Sequence, residues 1–129
     1  MRNKRLIYFV FIVLSLWQNH SALAQNQSSL EKRALQAFEQ LNYASALVDY
    51  RQLLAKDQQN PQFNYYYGVC VFQVESHYDA AKYFDVALGL KQIPDPLLYY
   101  YRAKIYQEQY FFEQAISAYE AYQRLSLNS

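Results

Sequence analysis

Residues 99–123 read YYYRAKIYQEQYFFEQAISAYEAYQ, and two earlier stretches lie over them in register: LEKRALQAFEQLNYASALVDYRQLL at 30–54 and NYYYGVCVFQVESHYDAAKYFDVAL at 64–88. Equivalent residues recur at intervals of 34 and then 35. A small residue returns at Ala34, Gly68 and Ala103, a second at Ala46, Ala80 and Ala115, and a ring at Tyr50, Phe84 and Tyr119. Three columns in step define a repeat, and its content decides the fold.

Within each unit the second small residue and the ring are four apart, and a further core position follows three later, at Leu53, Ala87 and Tyr122. Spacings of three and four mark one face of a helix. The first small residue precedes the second by twelve, about three turns at 3.6 residues per turn plus a short connection, so each unit holds two helices. The spacing predicts helices over 29–41, 43–57, 61–75, 78–91, 96–109 and 112–126. Ser28 with Glu31 has the form of a capping box, and Asn60-Pro61 and Asp95-Pro96 each set a good N-cap before a proline at the first helical position. Strands are not expected. The runs Tyr65 to Val74 and Tyr99 to Tyr101 favour strands locally, but the helical period of the repeat overrides that preference.

Outward from the repeat, the N-terminal segment has three zones: a basic start (Arg2, Lys4, Arg5), an apolar run from Leu6 to Trp17 broken by Ser15, and a polar stretch ending Ala22-Leu23-Ala24. This is the layout of a signal peptide cleaved after Ala24. The apolar run is shorter than the roughly 20 residues a membrane-crossing helix needs, so an uncleaved anchor is the weaker reading. The expected division is therefore a signal peptide at 1–24 and one folded domain at 25–129, exported to a periplasmic or outer-membrane location. Removing Arg2, Lys4 and Arg5 leaves nine Lys and Arg against eleven Asp and Glu. A surface so nearly neutral gathers neither the counterion-release energy of nucleic-acid binding nor the attraction of anionic lipid, so neither partner is expected. Cys70 is the only cysteine, which excludes an internal disulfide and leaves packing to stabilise the fold. It reads as a small buried side chain.

The small residues at the eighth and twentieth positions and the ring at the twenty-fourth resemble the tetratricopeptide repeat. Arg102-Ala103, Tyr106, Phe112, Ala115, Tyr119 and Tyr122 carry the resemblance in the third unit; Tyr67-Gly68, Ala80, Phe84 and Ala87 in the second; Ala34, Tyr43, Ala46, Tyr50 and Leu53 in the first. The resemblance implies an all-α solenoid of three stacked helix-turn-helix hairpins, at about 28–57, 61–91 and 96–126. In such a stack Ala34, Gly68 and Ala103 would meet Ala46, Ala80 and Ala115 inside their own hairpins. Leu30 and Asn64 stand where the repeat usually has an aromatic residue, the segment after Leu54 is longer than usual, and no seventh helix follows the third hairpin.

The same resemblance implies a concave groove lined by the leading helices, at Glu31, Leu35 and Phe38, then Tyr65, Val69 and Phe72, then Tyr100, Lys104 and Gln107. Its walls are apolar and aromatic, and Lys104 is the one cation where carboxylate-clamping members place several. An extended or helical segment with apolar anchors suits such walls. Among the tyrosine triplets, Tyr65, Tyr66, Tyr100 and Tyr101 are the candidates to face the groove, because successive residues turn by about 100°. Exposed aromatic patches rarely stay bare, so a homo-oligomer fits this composition as well.

The expected function is a non-catalytic adaptor that docks a protein or peptide partner, located in the cell envelope, through this groove or the open face of the last helix. A second reading is a structural module of a larger envelope assembly, OmpA-like or secretion-system associated. Tyr110-Phe111-Phe112-Glu113-Gln114-Ala115-Ile116 resembles the N-terminal repeat region of Bacteroidetes envelope proteins that continue into a propeller and an OmpA-like domain. Catalysis finds little support: beyond residue 24 the only histidine is His77, expected in a solvated turn, with no convergent nucleophile or base. No metal-ligand spacing is present, and glycines only at 68 and 89 exclude a phosphate loop, so no cofactor is expected. Asn26-Gln27-Ser28 matches a glycosylation acceptor, a three-residue pattern that carries no weight alone.

Overall fold

The computed structural model describes residues 25–89 and 95–127, which form six helices. They are α1 (25–39), α2 (Tyr43–Lys56), α3 (Pro61–Val74), α4 (His77–Gly89), α5 (Leu97–Glu108) and α6 (Phe112–Ser126). No strand occurs among the described residues, and packing runs chiefly from each helix to the next in the chain. The signal-peptide reading of residues 1–24 lies outside the described residues. No described helix is long and apolar enough to cross a membrane.

Helix starts follow the caps with two adjustments. Asn60 Oδ1 accepts from the Phe63 N–H at 3.0 Å with Pro61 in the first turn, as the sequence predicts, and Asn42 does the same for Ser45 at 3.3 Å. Asp95 caps from one residue further out. Its Oδ1 accepts from the Leu97 N–H at 2.9 Å, while the Asp95 and Pro96 carbonyls take the next two N–H groups in a tight first turn. The Ser28 capping box is corrected: α1 already runs at residue 25, so Ser28 is internal and Glu31 accepts instead from Gln27 at 3.3 Å.

The turns inside the first and third hairpins share one geometry. The Asn42 N–H reaches the Ala37 carbonyl and the Leu41 N–H the Phe38 carbonyl, both at 2.9 Å. Phe111 to Tyr106 and Tyr110 to Gln107 repeat the pattern at 2.9 and 3.1 Å. This paired closure satisfies the last carbonyls but needs a left-handed residue, usually glycine. Here Leu41 (φ 59°) and Tyr110 (φ 64°) take that conformation.

Between the hairpins lies one core, with Phe84, Leu53, Leu98, Val69, Val71 and Cys70 fully enclosed. Helix α3, at the centre, buries nine of its fourteen residues, which is why its sequence is apolar on nearly every side. The small-residue columns are buried throughout: Ala34, Ala46, Ala80 and Ala103 are fully enclosed, and Ala115 nearly so. At Gly68 a ring, and not only a small residue, comes close. The nearest atoms belong to the Phe84 ring and Tyr83 Cβ, one turn along α4 from Ala80, so the glycine makes room for a ring.

Asn64 explains why the second repeat departs from the aromatic pattern. Its side chain is 2% exposed, and its Nδ2 donates to the Gln58 and Asn60 carbonyls at 2.9 and 2.8 Å. The lengthened segment after Leu54 is thereby pinned to α3 from inside, a task no aromatic ring could perform.

Candidate functional site

The leading helices α1, α3 and α5 carry the nine groove positions, and burial divides them. Tyr65 (3% exposed), Val69 and Phe72 are buried and form the floor. Glu31, Leu35, Phe38, Tyr100 and Lys104 are half-buried, and Gln107 is exposed. The surface available to a ligand is thus split into an N-terminal part and a C-terminal part joined by the covered floor of α3.

Leu35 and Glu31 of the N-terminal part enter a cavity of about 220 Å³ between α1 and α3, completed by Ser28, Lys32, Tyr50, Gln62, Phe63 and Tyr66. Its ring wall is rigid. Phe38 meets Tyr43 and Tyr66 edge-on at 5.5 and 4.8 Å, and Tyr50 stacks on Tyr66 at 5.2 Å. Tyr66, half-buried, presents its ring where Tyr65 does not. The floor tyrosine has its hydroxyl pushed well above the ordinary range, first by burial and then by the facing Asp95 carboxylate and Tyr101, and stays neutral.

In the C-terminal part Tyr100 packs edge-on against Tyr101 at 5.7 Å and against Tyr119 at 6.1 Å, and meets Tyr122 at 5.7 Å. The Tyr119 hydroxyl donates to Gln107 Oε1 at 3.0 Å, tying α6 to the groove edge. Phe72 contacts Tyr101 at 5.0 Å, so the floor and the C-terminal wall form one aromatic array.

His77 does not sit in a turn, although its side chain is still 41% exposed. It opens α4, its ring stacks on Phe72 at 3.8 Å, and its Nδ1 lies 2.8 Å from both carboxylate oxygens of Glu108. The pair joins the second hairpin to the third. Sequence spacing could not reveal it, since 31 positions separate the partners. No group of three or more potential metal ligands occurs among the described residues. Cys70 is enclosed, and burial alone pushes its thiol up to about 12, so it lacks the thiolate that reactivity requires.

Polar contacts between hairpins repeat in register. Arg51 of α2 donates to the Tyr67 hydroxyl at 3.1 Å, and one repeat on the roles reverse, with Arg102 of α5 reaching Asp85 of α4 at 3.0 Å. Arg33, at the position of Tyr67 and Arg102, bonds instead within its own hairpin, to Asp49, in a two-pronged contact at 2.7 and 2.6 Å.

No protein-family model matches the chain, and no curated protein does. Solved structures do. The first tetratricopeptide repeat domain of Spaghetti (RPAP3), bound to an HSP90 peptide SRMEEVD, aligns with a TM-score of 0.66 at 21% identity over 81% of this chain and 82% of that one. Two MamA structures, MSR-1 and AMB-1, align with TM-scores of 0.64 and 0.62, each at 17% identity. These alignments cover 79% and 78% of this chain but only 58% and 54% of the MamA chains, so the protein spans little more than half their length. At such identities the likeness speaks for the fold alone, and the fold is that of a tetratricopeptide-repeat solenoid.

Proposed function

We propose that this protein is a non-catalytic adaptor that holds a segment of a partner polypeptide along its leading helices. The observation that carries this reading is the half-exposed aromatic wall, with Tyr66, Phe38 and Leu35 around the 220 Å³ cavity and Tyr100 beside Lys104 further along. Tyrosine rings fixed by their neighbours offer large contact area at small entropic cost, which is the chemistry of binding hot spots. The Spaghetti domain, of the same fold, holds a seven-residue peptide rich in acidic residues. With Lys104 the one cation among its nine groove positions and Lys32 beside the cavity, this chain suits a segment anchored chiefly by apolar side chains, with a carboxylate within reach of either lysine.

Export through the N-terminal signal belongs to the same proposal, and the partner is then sought in the cell envelope. Support for it is the basic, apolar and small-residue zoning of residues 1–24. The module reading, with further envelope domains beyond residue 129, rests on the resemblance carried by residues 110–116, and the downstream coding sequence decides it.

The test is capture from envelope extract by the purified chain, repeated with Tyr66→Ala, Tyr100→Ala and Lys104→Glu. Each variant should keep its helical circular dichroism and lose most of the captured partner. Variants that fold normally and hold the partner as tightly as the parent overturn the groove assignment.

A further inference from the structure

We propose that a cavity between α4 and α5 binds a free α-amino acid with an apolar side chain, held as its zwitterion. The cavity measures about 400 Å³, within the range of small-molecule sites, and the described residues that line it all belong to α4 or α5. None of the nine groove positions is among them, so this site is separate from the surface proposed for a polypeptide.

Four of its residues are charged: Asp79, Lys82 and Asp85 on α4 and Arg102 on α5. Hairpin stacking does not require this set. At the equivalent junction of α2 and α3, one repeat earlier, Ser45, Val48 and Val71 stand where Asp79, Lys82 and Tyr106 stand here, and Val48 is left 54% exposed. The bond from Arg51 to the Tyr67 hydroxyl joins the hairpins there without a charged cluster. The added charges of the later junction therefore answer to something other than the repeat.

Arg102 is arranged for an anion. Its contacts with the Tyr106 hydroxyl at 2.6 Å and Asp85 Oδ1 at 3.0 Å both leave from Nη2, and among the described residues neither Nη1 nor Nε has an acceptor. Because Tyr106 Oη accepts from Arg102, its own hydrogen is free to donate. A carboxylate can then bridge Nη1 and that hydroxyl through charge-assisted bonds. Lys82 rests over the Tyr83 ring at 5.0 Å, which leaves Arg102 as the anchoring cation.

The two aspartates decide the rest of the ligand. A simple anion would face Asp79 and Asp85, and a simple cation would face Lys82 and Arg102; a molecule carrying both charges satisfies each pair. An α-amino acid sets its carboxylate on Arg102 and Tyr106 and its ammonium toward the aspartates. Ala81, Ile105 and the rings of Tyr78 and Tyr106 give its side chain apolar walls.

NMR titration of the isotopically labelled chain with L-phenylalanine tests the proposal. Saturable amide shifts should appear along 78–85 and 102–109, with a dissociation constant of about 1 mM, the affinity that so small a ligand commands. N-acetylphenylalanine lacks the ammonium and phenylalaninamide lacks the carboxylate, and each should bind about tenfold more weakly. L-phenylalanine should lose a similar factor, about tenfold, on Tyr106→Phe and on Asp79→Asn, both of which keep the size of the side chain and should keep the helical circular dichroism. The two analogues need no substitution, so they decide the matter should either variant unfold. Four results would each overturn the proposal: no saturable shift up to about 20 mM, shifts confined to α1 and α3, either analogue binding as tightly as the amino acid, or folded variants binding like the parent.

Discussion

A β-carbon built on Gly68 stands 2.8 Å from Cε1 of Phe84 and 3.2 Å from Cβ of Tyr83. The ring cannot swing aside, because Phe84 is fully enclosed and stacks on Tyr101 at 5.6 Å. The closest approach within the second hairpin therefore depends on hydrogen standing where every other residue has carbon. Gly68→Ala gains about 1 kcal/mol of helix propensity yet meets an overpacking cost of about 1–3 kcal/mol, so the expected outcome is net destabilisation. Urea unfolding checks this. Combining it with Phe84→Leu should cost less than the two single changes summed, because the smaller side chain vacates the clash.

Asn64 supplies the second test. Asn64→Ala removes the side-chain bonds to the Gln58 and Asn60 carbonyls, at a cost of about 1–3 kcal/mol; Gln58 loses this donor, while Asn60 keeps the Asn64 backbone N–H at 3.0 Å. Asn64→Asp should be worse, since it turns a carboxylate toward two carbonyl oxygens. Hydrogen exchange should show faster opening of 57–60 before the rest of the fold responds.

Leu41 gives a prediction of opposite sign. Its side chain is 69% exposed and its φ of 59° carries a left-handed penalty of about 1–2 kcal/mol. Leu41→Gly should raise thermal stability, with the same helical content; an unchanged or lowered midpoint would mean that Leu41 makes a contact worth as much as the strain.

Alkaline pH should loosen the fold through Cys70. Its thiol is raised from an ordinary 9.0 to about 12, so the folded protein keeps a proton that the unfolded chain releases. The stability tied to that proton is intact below about pH 9 and is lost progressively toward pH 12. Denaturant midpoints at pH 8 and 10.5 should diverge less in Cys70→Ala than in the parent. Native Cys70 should resist alkylation that proceeds readily in urea.

Much of the architecture is readable from recurrence. Small residues twelve apart and rings four beyond them fix six helices, and capping by Asn60 follows from chemistry within four residues, whereas Asp95 acts from one residue outside the cap position. The start of α1 was not readable, because Ser28 resembles a cap and nothing local shows that the helix has already begun. The proposed binding surface is readable only in outline. Register assigns Tyr65 and Tyr66 alike to the leading helix, but which ring is covered depends on Asp95 and Tyr101 of the next hairpin. The stacking of His77 on Phe72 against Glu108 likewise needs three elements at once.

The leading helices are proposed to hold a polypeptide. Amide hydrogen exchange of the chain with and without its captured partner tests it most directly. Exchange should slow in α1, α3 and α5, most strongly around Leu35, Tyr66 and Tyr100. Protection confined to α2 and α4, with the leading helices exchanging as in the free protein, would contradict it.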